Sequence, residues 1–284
     1  MIGVRVPAST SNLGAGFDCL GLALDLWMEV SLVEGEGQPE RHGTIENLDP
    51  ADDIVLRIVN HHVPPGRHLR VQSDIPVARG LGSSAAAAVA GYALLDLITD
   101  NSFDRDEVYR RAVDLEGHPD NAGAATYGGF VLAAPRPARL AFNTRLGVAL
   151  AIPDAPLDTK TARSILPDQI SREATIRQAG RAAALVLGLM NAEADLIAFG
   201  MDDQIAVPHR KRFIPGYDEA VEAGRRSGAF GVTISGSGSA LVAITPADDA
   251  ASVADAMANK LSAVGNHAVA LTPGVSAQGV VTLE

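Results

Sequence analysis

The sequence predicts a two-domain α+β protein, and three observations lead there. β-like runs and helical runs share the chain without the strict strand–helix alternation of a doubly wound sheet. The chain has 284 residues, long enough for one large domain or two, and 47% of them are hydrophobic, so an ordinary core is available. At Pro76 to Gly91, PVARGLGSSAAAAVAG, a glycine turn runs straight into a helix. Gly80 and Gly82 can take backbone angles that a side chain forbids, and they leave the amides bare. Ser83 or Ser84 suits the N-cap, and the alanines behind are strong helix formers. Free amides at such a helix start make a site for phosphate.

In order along the chain, residues 2–6 alternate as a strand. Pro7 to Asp18 reads as loop chemistry and continues into an apolar segment to Leu24. Trp27 to Val33 is a second strand, and residues 34–53 are an acidic, exposed excursion. Ile54 to His62 has helical spacing, stopped by Val63-Pro64-Pro65-Gly66. His68 to Ile75 is a strand that feeds the glycine turn. Ser84 to Ile98 is a buried helix, apolar almost all round. Asp104 caps the next helix, which ends near Glu116 at Gly117-His118-Pro119-Asp120-Asn121. Tyr127 to Pro135 resumes as a strand, and the domain boundary falls near Arg145, dividing 1–145 from 146–284. Val148 to Pro153 is a strand, followed by helices at about 158–165, 171–190, 192–201 and 215–227. Phe230 to Thr245 is two strands around a Gly-Ser-Gly turn. Asp248 to Ser262 is a helix and His267 to Thr272 the last strand.

Charge and cysteine content narrow the function. A formal net charge of −11 argues against nucleic acid and anionic membrane as partners. Cys19 stands alone, which excludes an internal disulfide framework and a multi-cysteine metal site. Arg5 and the polar run 7–18 do not read as a signal peptide, and no apolar run is long enough to span a bilayer. A cytoplasmic protein is expected.

Several stretches carry chemistry. GLGSSA also satisfies G-x-G-x-x-A, but the acidic residues about 20 positions on, Asp104 and Asp106, fall at a helix start. Lys160, Lys211 and Lys260 all follow non-glycine residues, so there is no Walker loop. The doubled serine suits Mg²⁺ beside phosphates. Asn12 and Asp18 flank a glycine-bearing loop, suited to an amino group or hydroxyls, although an Asn/Asp-rich turn reads the same way. Glu116, His118, Asp120 and Asn121 place two carboxylates, an imidazole and an amide within six residues. Glu116 can bind a divalent cation, and His118 can act as a base or as a hydrogen-bond partner. Gly236-Ser237-Gly238 alone is a hairpin turn. Arg163 and Arg210 carry guanidinium forks suited to a carboxylate, as surface arginines also do.

Taken together, PVARGLGSSAA and GVTISGSGSALVAI resemble the phosphate-binding and C-terminal glycine motifs of the GHMP kinase superfamily. PASTSNLGAGFDCLGLAL, LEGHPDN, DTKTARSILP and HRKRFIPGY resemble its homoserine kinase family, in that family's order. The resemblance implies a two-domain GHMP kinase fold. Its N-terminal domain is like ribosomal S5 domain 2, its C-terminal domain is ferredoxin-like, and the active site lies between them. It implies ATP, Mg²⁺ and L-homoserine as ligands, a step of threonine synthesis, and a homodimer.

Carried over position by position, the resemblance implies the following roles: Pro76, Val77, Ala78, Arg79, Gly80, Leu81, Gly82, Ser83, Ser84, Ala85 and Ala86 form the ATP loop. Ser83 or Ser84, with Glu116 or the competing Asp114, ligates Mg²⁺; Ser84 and Glu116 are preferred. Asn12, Asp18, His118 and Asn121 surround the acceptor's amino and hydroxyl ends. Thr159, Arg163 and Arg210 face its carboxylate, with Gly236 and Gly238 close by. His118, Asp120 and Asn121 form the catalytic set. An amide cannot take a proton, so Asn121 orients the hydroxyl. The proton passes to His118, to Asp120, or directly to the phosphoryl oxygens. The rival readings are another small-alcohol kinase of the superfamily, such as one acting on mevalonate or a sugar, and a non-catalytic nucleotide-binding relative. In the family the third motif often reads Gly-Ala-Gly-Pro; here it is Gly236-Ser237-Gly238-Ser239.

Overall fold

In the computed structural model, which describes residues 2–134 and 136–283, a long hairpin leads the chain. Strand β1 (Ile2–Asn12) pairs antiparallel with β2 (Gly16–Glu34). In sequence Pro7 to Asp18 reads as a loop, whereas in the structure only Leu13 to Ala15 turns. The reason is burial on both faces. Pro7 to Asn12 are all buried, so the polar–apolar alternation that marks a half-exposed strand is lost. Next come β3 (Glu40–Gly43), α1 (Ile54–Val59) and β4 (Arg67–Ser73), with β3 parallel to β4 and β4 antiparallel to β2.

Helix α2 (Ser83–Asp100) follows the glycine turn. Its N-cap is Gly82, with no side-chain cap bond, so neither Ser83 nor Ser84 takes the cap. Asp104 does cap α3 (Arg105–Glu116), accepting from the Glu107 amide at 3.0 Å. A short buried helix, α4 (Asp120–Tyr127), occupies what reads in sequence as a break leading to a strand at Tyr127. The strand starts later, as β5 (Phe130–Leu132), and pairs with β2 and with β6 (Ala138–Leu140).

Between β6 and β7 (Leu146–Pro153) the chain enters a second sheet. Helices α5 (Thr159–Ser164), α6 (Arg172–Asn191), α7 (Ala194–Met201), α8 (Val207–Arg210) and α9 (Tyr217–Arg226) come next. Strands β8 (Gly231–Ile234) and β9 (Leu241–Pro246), helix α10 (Ala250–Ala263) and β10 (Ala268–Leu271) complete the unit. The sheet order is β10-β7-β9-β8, antiparallel throughout. One face, including Ala149, Ala151 and Val232, packs on α9 and α10 through Tyr217, Val253, Met257 and Leu261. The other, with Val148, Leu150, Val242 and Ile244, joins the core shared with the first sheet.

His267 to Thr272 does not end the strands. A further strand, β11 (Val281–Thr282), crosses back to pair with β1 at the edge of the first sheet. The stretch that builds the second sheet therefore continues into a strand of the first. The α+β class is as the sequence predicts.

Phe130 has no exposed surface and lies against the hairpin, opposite Leu22. Truncating it leaves a cavity, and Phe130→Ala is expected to cost roughly 3–5 kcal/mol. Urea unfolding midpoints, at unchanged slope, check this.

Candidate active site

The 78–82 turn owes its shape to its glycines. Gly80 and Gly82 hold φ of +75° and +70°. A Cβ on Gly80 would strike the Ser235 carbonyl oxygen, and one on Gly82 the Ser9 hydroxyl. Both sheets grip the turn. The Ser9 amide donates to Leu81 O at 3.1 Å, and the Ala240 amide to Arg79 O at 3.1 Å. Ser235 Oγ lies 2.8 Å from Thr10 Oγ1 and 2.7 Å from Gly80 O.

The turn lines a cleft of about 490 Å³ shared with Glu116, His118, Asn121, Asp158, Thr159 and Ser237. Ser84 Oγ donates to Glu116 Oε1 at 2.6 Å, joining the first turn of α2 to the end of α3. Asp114 is outside this cleft and pairs with Arg110 on the exposed side of α3. Pro76 faces a separate groove behind the turn, and Ala86 is buried in the core, so neither lines the cleft.

His118 Nδ1 stands 3.0 Å from Asp120 Oδ1, which also accepts the Asn121 amide at 2.7 Å. Asp120 is 2% exposed. Its hydrogen bond to His118 raises the imidazole above its ordinary pKa, against a smaller opposing effect of burial. Asn121 accepts from Ser9 Oγ at 2.9 Å and donates to Ser11 Oγ at 3.0 Å, so its amide plane is fixed.

Asn12, Asp18, Arg163, Arg210 and Gly236 gather around Phe17, outside the main cleft. Arg163 and Asp18 form a two-pronged ion pair at 2.6 and 3.0 Å, which raises the Arg163 pKa. Asn12 donates to Gly236 O at 2.8 Å and accepts from the Asp18 amide at 2.9 Å. Arg210 is 3% exposed. It donates to Ala162 O at 3.0 Å and Gly236 O at 3.1 Å, and burial pushes its pKa down. Both guanidiniums lie over Phe17, at 5.6 and 5.2 Å. Thr159 Oγ1 meets Ser237 Oγ at 3.1 Å, tying α5 to the 236–238 turn between β8 and β9.

Ile45, Leu48, Ile54 and Val55 also line the cleft, the first two from a stretch, 34–53, that reads in sequence as an exposed excursion. The available signal is Ile45 and Leu48, two apolar residues within a polar stretch.

Residues 51–129 match the GHMP kinases N terminal domain and residues 182–263 the GHMP kinases C terminal domain. A homoserine kinase of Picosynechococcus sp. is 34% identical, covering 99% of both chains. One from Thermus thermophilus is 37% identical, covering 89% of each. This chain belongs to the homoserine kinase family of GHMP kinases. The crystal structure of homoserine kinase from Cytophaga hutchinsonii superposes on this GHMP kinase with a TM-score of 0.85 at 29% identity. It covers 99% of this chain and 96% of that one. Mevalonate kinase of L. major shares the fold, with a TM-score of 0.68 at 17% identity.

Two outcomes follow from the geometry. Gly80→Ala puts a side chain at positive φ against backbone, so it should destabilise this kinase by at least about 1 kcal/mol. Thermal unfolding measures the cost, and ATP affinity should fall with it. Asp120→Asn should lower the titration midpoint of His118, read by NMR of its ring protons. The Asp120–His118 contact favours the protonated imidazole. Its stabilisation is therefore full below the ordinary histidine pKa and fades as pH rises through the raised one. The variant should lose that pH dependence.

Proposed function

We propose that this chain transfers the γ-phosphoryl group of ATP to the side-chain hydroxyl of L-homoserine, forming O-phospho-L-homoserine, a step of threonine synthesis. One observation carries the reading. The glycine turn at the start of α2 and the Ser84–Glu116 pair line the same cleft as His118, Asn121 and Thr159. Relatives named homoserine kinase support the choice of acceptor.

In this reading the turn 77–85 cradles the phosphates at the start of α2, where amides and the helix dipole meet negative charge. The apolar wall of Ile45, Leu48 and Ile54 takes the base. Ser84 and Glu116 are hard oxygen donors, one of them a carboxylate. They fit Mg²⁺, which uses one or two carboxylates and completes its shell with phosphate oxygens and water. When bound, Mg²⁺ neutralises charge on the phosphoryl oxygens. Asp114 is not needed. Of the two serines, Ser84 is the ligand, because its hydroxyl already faces Glu116.

The acceptor sits by Phe17. An amino acid carries the same two charges as the Asp18–Arg163 pair. Its ammonium goes to Asp18 and its carboxylate to Arg163 and Arg210, so one ion pair is exchanged for two. Thr159, Asn12 and Gly236 border that end. Asn121, held by Ser9 and Ser11, orients the hydroxyl toward the cleft. Asp120 is buried and committed to His118, so it keeps the imidazole in place. The hydroxyl proton leaves with the phosphoryl oxygens, and His118 supplies a hydrogen bond. Positioning of this kind accounts for roughly 7–11 kcal/mol of a barrier. The same proposal takes 1–145 as the ATP-binding domain and 146–284 as its partner, working as a homodimer in the cytoplasm.

A coupled ADP-release assay with ATP, Mg²⁺ and an acceptor panel tests this. Saturable release should need homoserine; preference for mevalonate or a sugar, or ATP binding without turnover, refutes the reading. Losing one partner of a charge-assisted contact costs about 1.5–3 kcal/mol, or roughly 10- to 100-fold. Arg210→Ala should raise KM for homoserine by that factor and KM for ATP by less. Glu116→Gln should raise the Mg²⁺ concentration giving half-maximal rate by about 10-fold.

A further inference from the structure

We infer that Asp203 is a positioning residue for the acceptor end of the site, acting through Arg210 with Gln178 as its anchor. This rests on the proposed role of Arg210 toward homoserine. Asp203 is 4% exposed, and among the described residues it meets four N–H donors rather than an ion-pair partner. Its Oδ2 accepts the amides of Ala206 at 2.7 Å and Val207 at 2.6 Å. Its Oδ1 accepts the Ile205 amide at 3.0 Å and Gln178 Nε2 at 2.6 Å. These bonds fix the entry into α8, a single turn whose N-cap, Ala206, has no side chain able to cap it. Arg210 is the last residue of that turn.

A four-residue helix is not stable by itself, so its position depends on what holds its ends. Gln178 supplies the other side of the clamp. It is buried on α6, accepts the Gln204 amide at 3.3 Å, and reaches to 3.5 Å from Ala15 O at the tip of the β1–β2 hairpin. Asp203 also borders the small cavity lined by Asn12, Phe17, Arg210 and Gly236. Its carboxylate, after that of Asp18, favours the buried Arg210 cation without a direct bond. Thus one buried carboxylate fixes the turn that carries the guanidinium and adds to the field around it.

Steady-state kinetics of Asp203→Asn test this. The variant keeps the shape but loses the charge and the two-oxygen acceptor set. KM for homoserine should rise about 10- to 100-fold, the scale of a small misplacement in an active site, while KM for ATP stays within about twofold. In an Arg210→Met background the same change should add less than about twofold, because the residue it acts through is gone. Gln178→Leu, which leaves the carboxylate in place, should shift KM for homoserine in the same direction and gives the answer if Asp203→Asn does not fold. Equal changes in both KM values, or full additivity with Arg210→Met, overturn the inference alone. A wild-type chain without homoserine-dependent ADP release overturns it together with the proposed function.

Discussion

The 78–82 turn is held from two directions at once, and the site exists because of it. Ser9 closes on Gly82 from the first sheet, and Ser235 closes on Gly80 from the second. A side chain at either glycine would have to occupy space already filled, and at a positive φ costing about 1–2 kcal/mol in an L-residue. The Ser235 hydroxyl touches both Thr10 and the Gly80 carbonyl, so the two units share the turn. The cleft therefore opens along their seam, where residues far apart in sequence meet.

Local chemistry was legible in the chain; long-range pairing was not. The glycine turn reads directly, because its conformational demand lies in residues 80 and 82 themselves. The capping serine does not: Gly82 takes the cap, and the Ser84 hydroxyl is left to bond Glu116. Helix α4 hides behind Gly117 and Pro119, which have the look of a stop, and its body is a short alanine-rich stretch. Ser9, Thr10 and Ser11 look like loop residues because no exposed face betrays the strand. Their hydroxyls serve Asn121 and Ser235 instead of water.

The acceptor side shows a different limit. Asn12, Asp18, Arg163, Arg210 and Gly236 stand out as polar or flexible residues in the sequence, and the fold does gather them around Phe17. Their bonds to one another could not be read. Asp18 and Arg163 are 145 residues apart, and Asn12 and Gly236 are 224 apart. Such partners depend on how two sheets dock. Arg210 illustrates the cost of burial, since its side-chain hydrogen bonds go to the carbonyl oxygens of Ala162 and Gly236.

Strand β11 follows β10 of the second sheet along the chain, yet it pairs with β1 of the first. During synthesis β1 leaves the ribosome well before this partner does. Until β11 emerges, the backbone groups of β1 that it will meet are without their strand. The first sheet is thus completed only after the second has been made, which ties the folding of the one to the other.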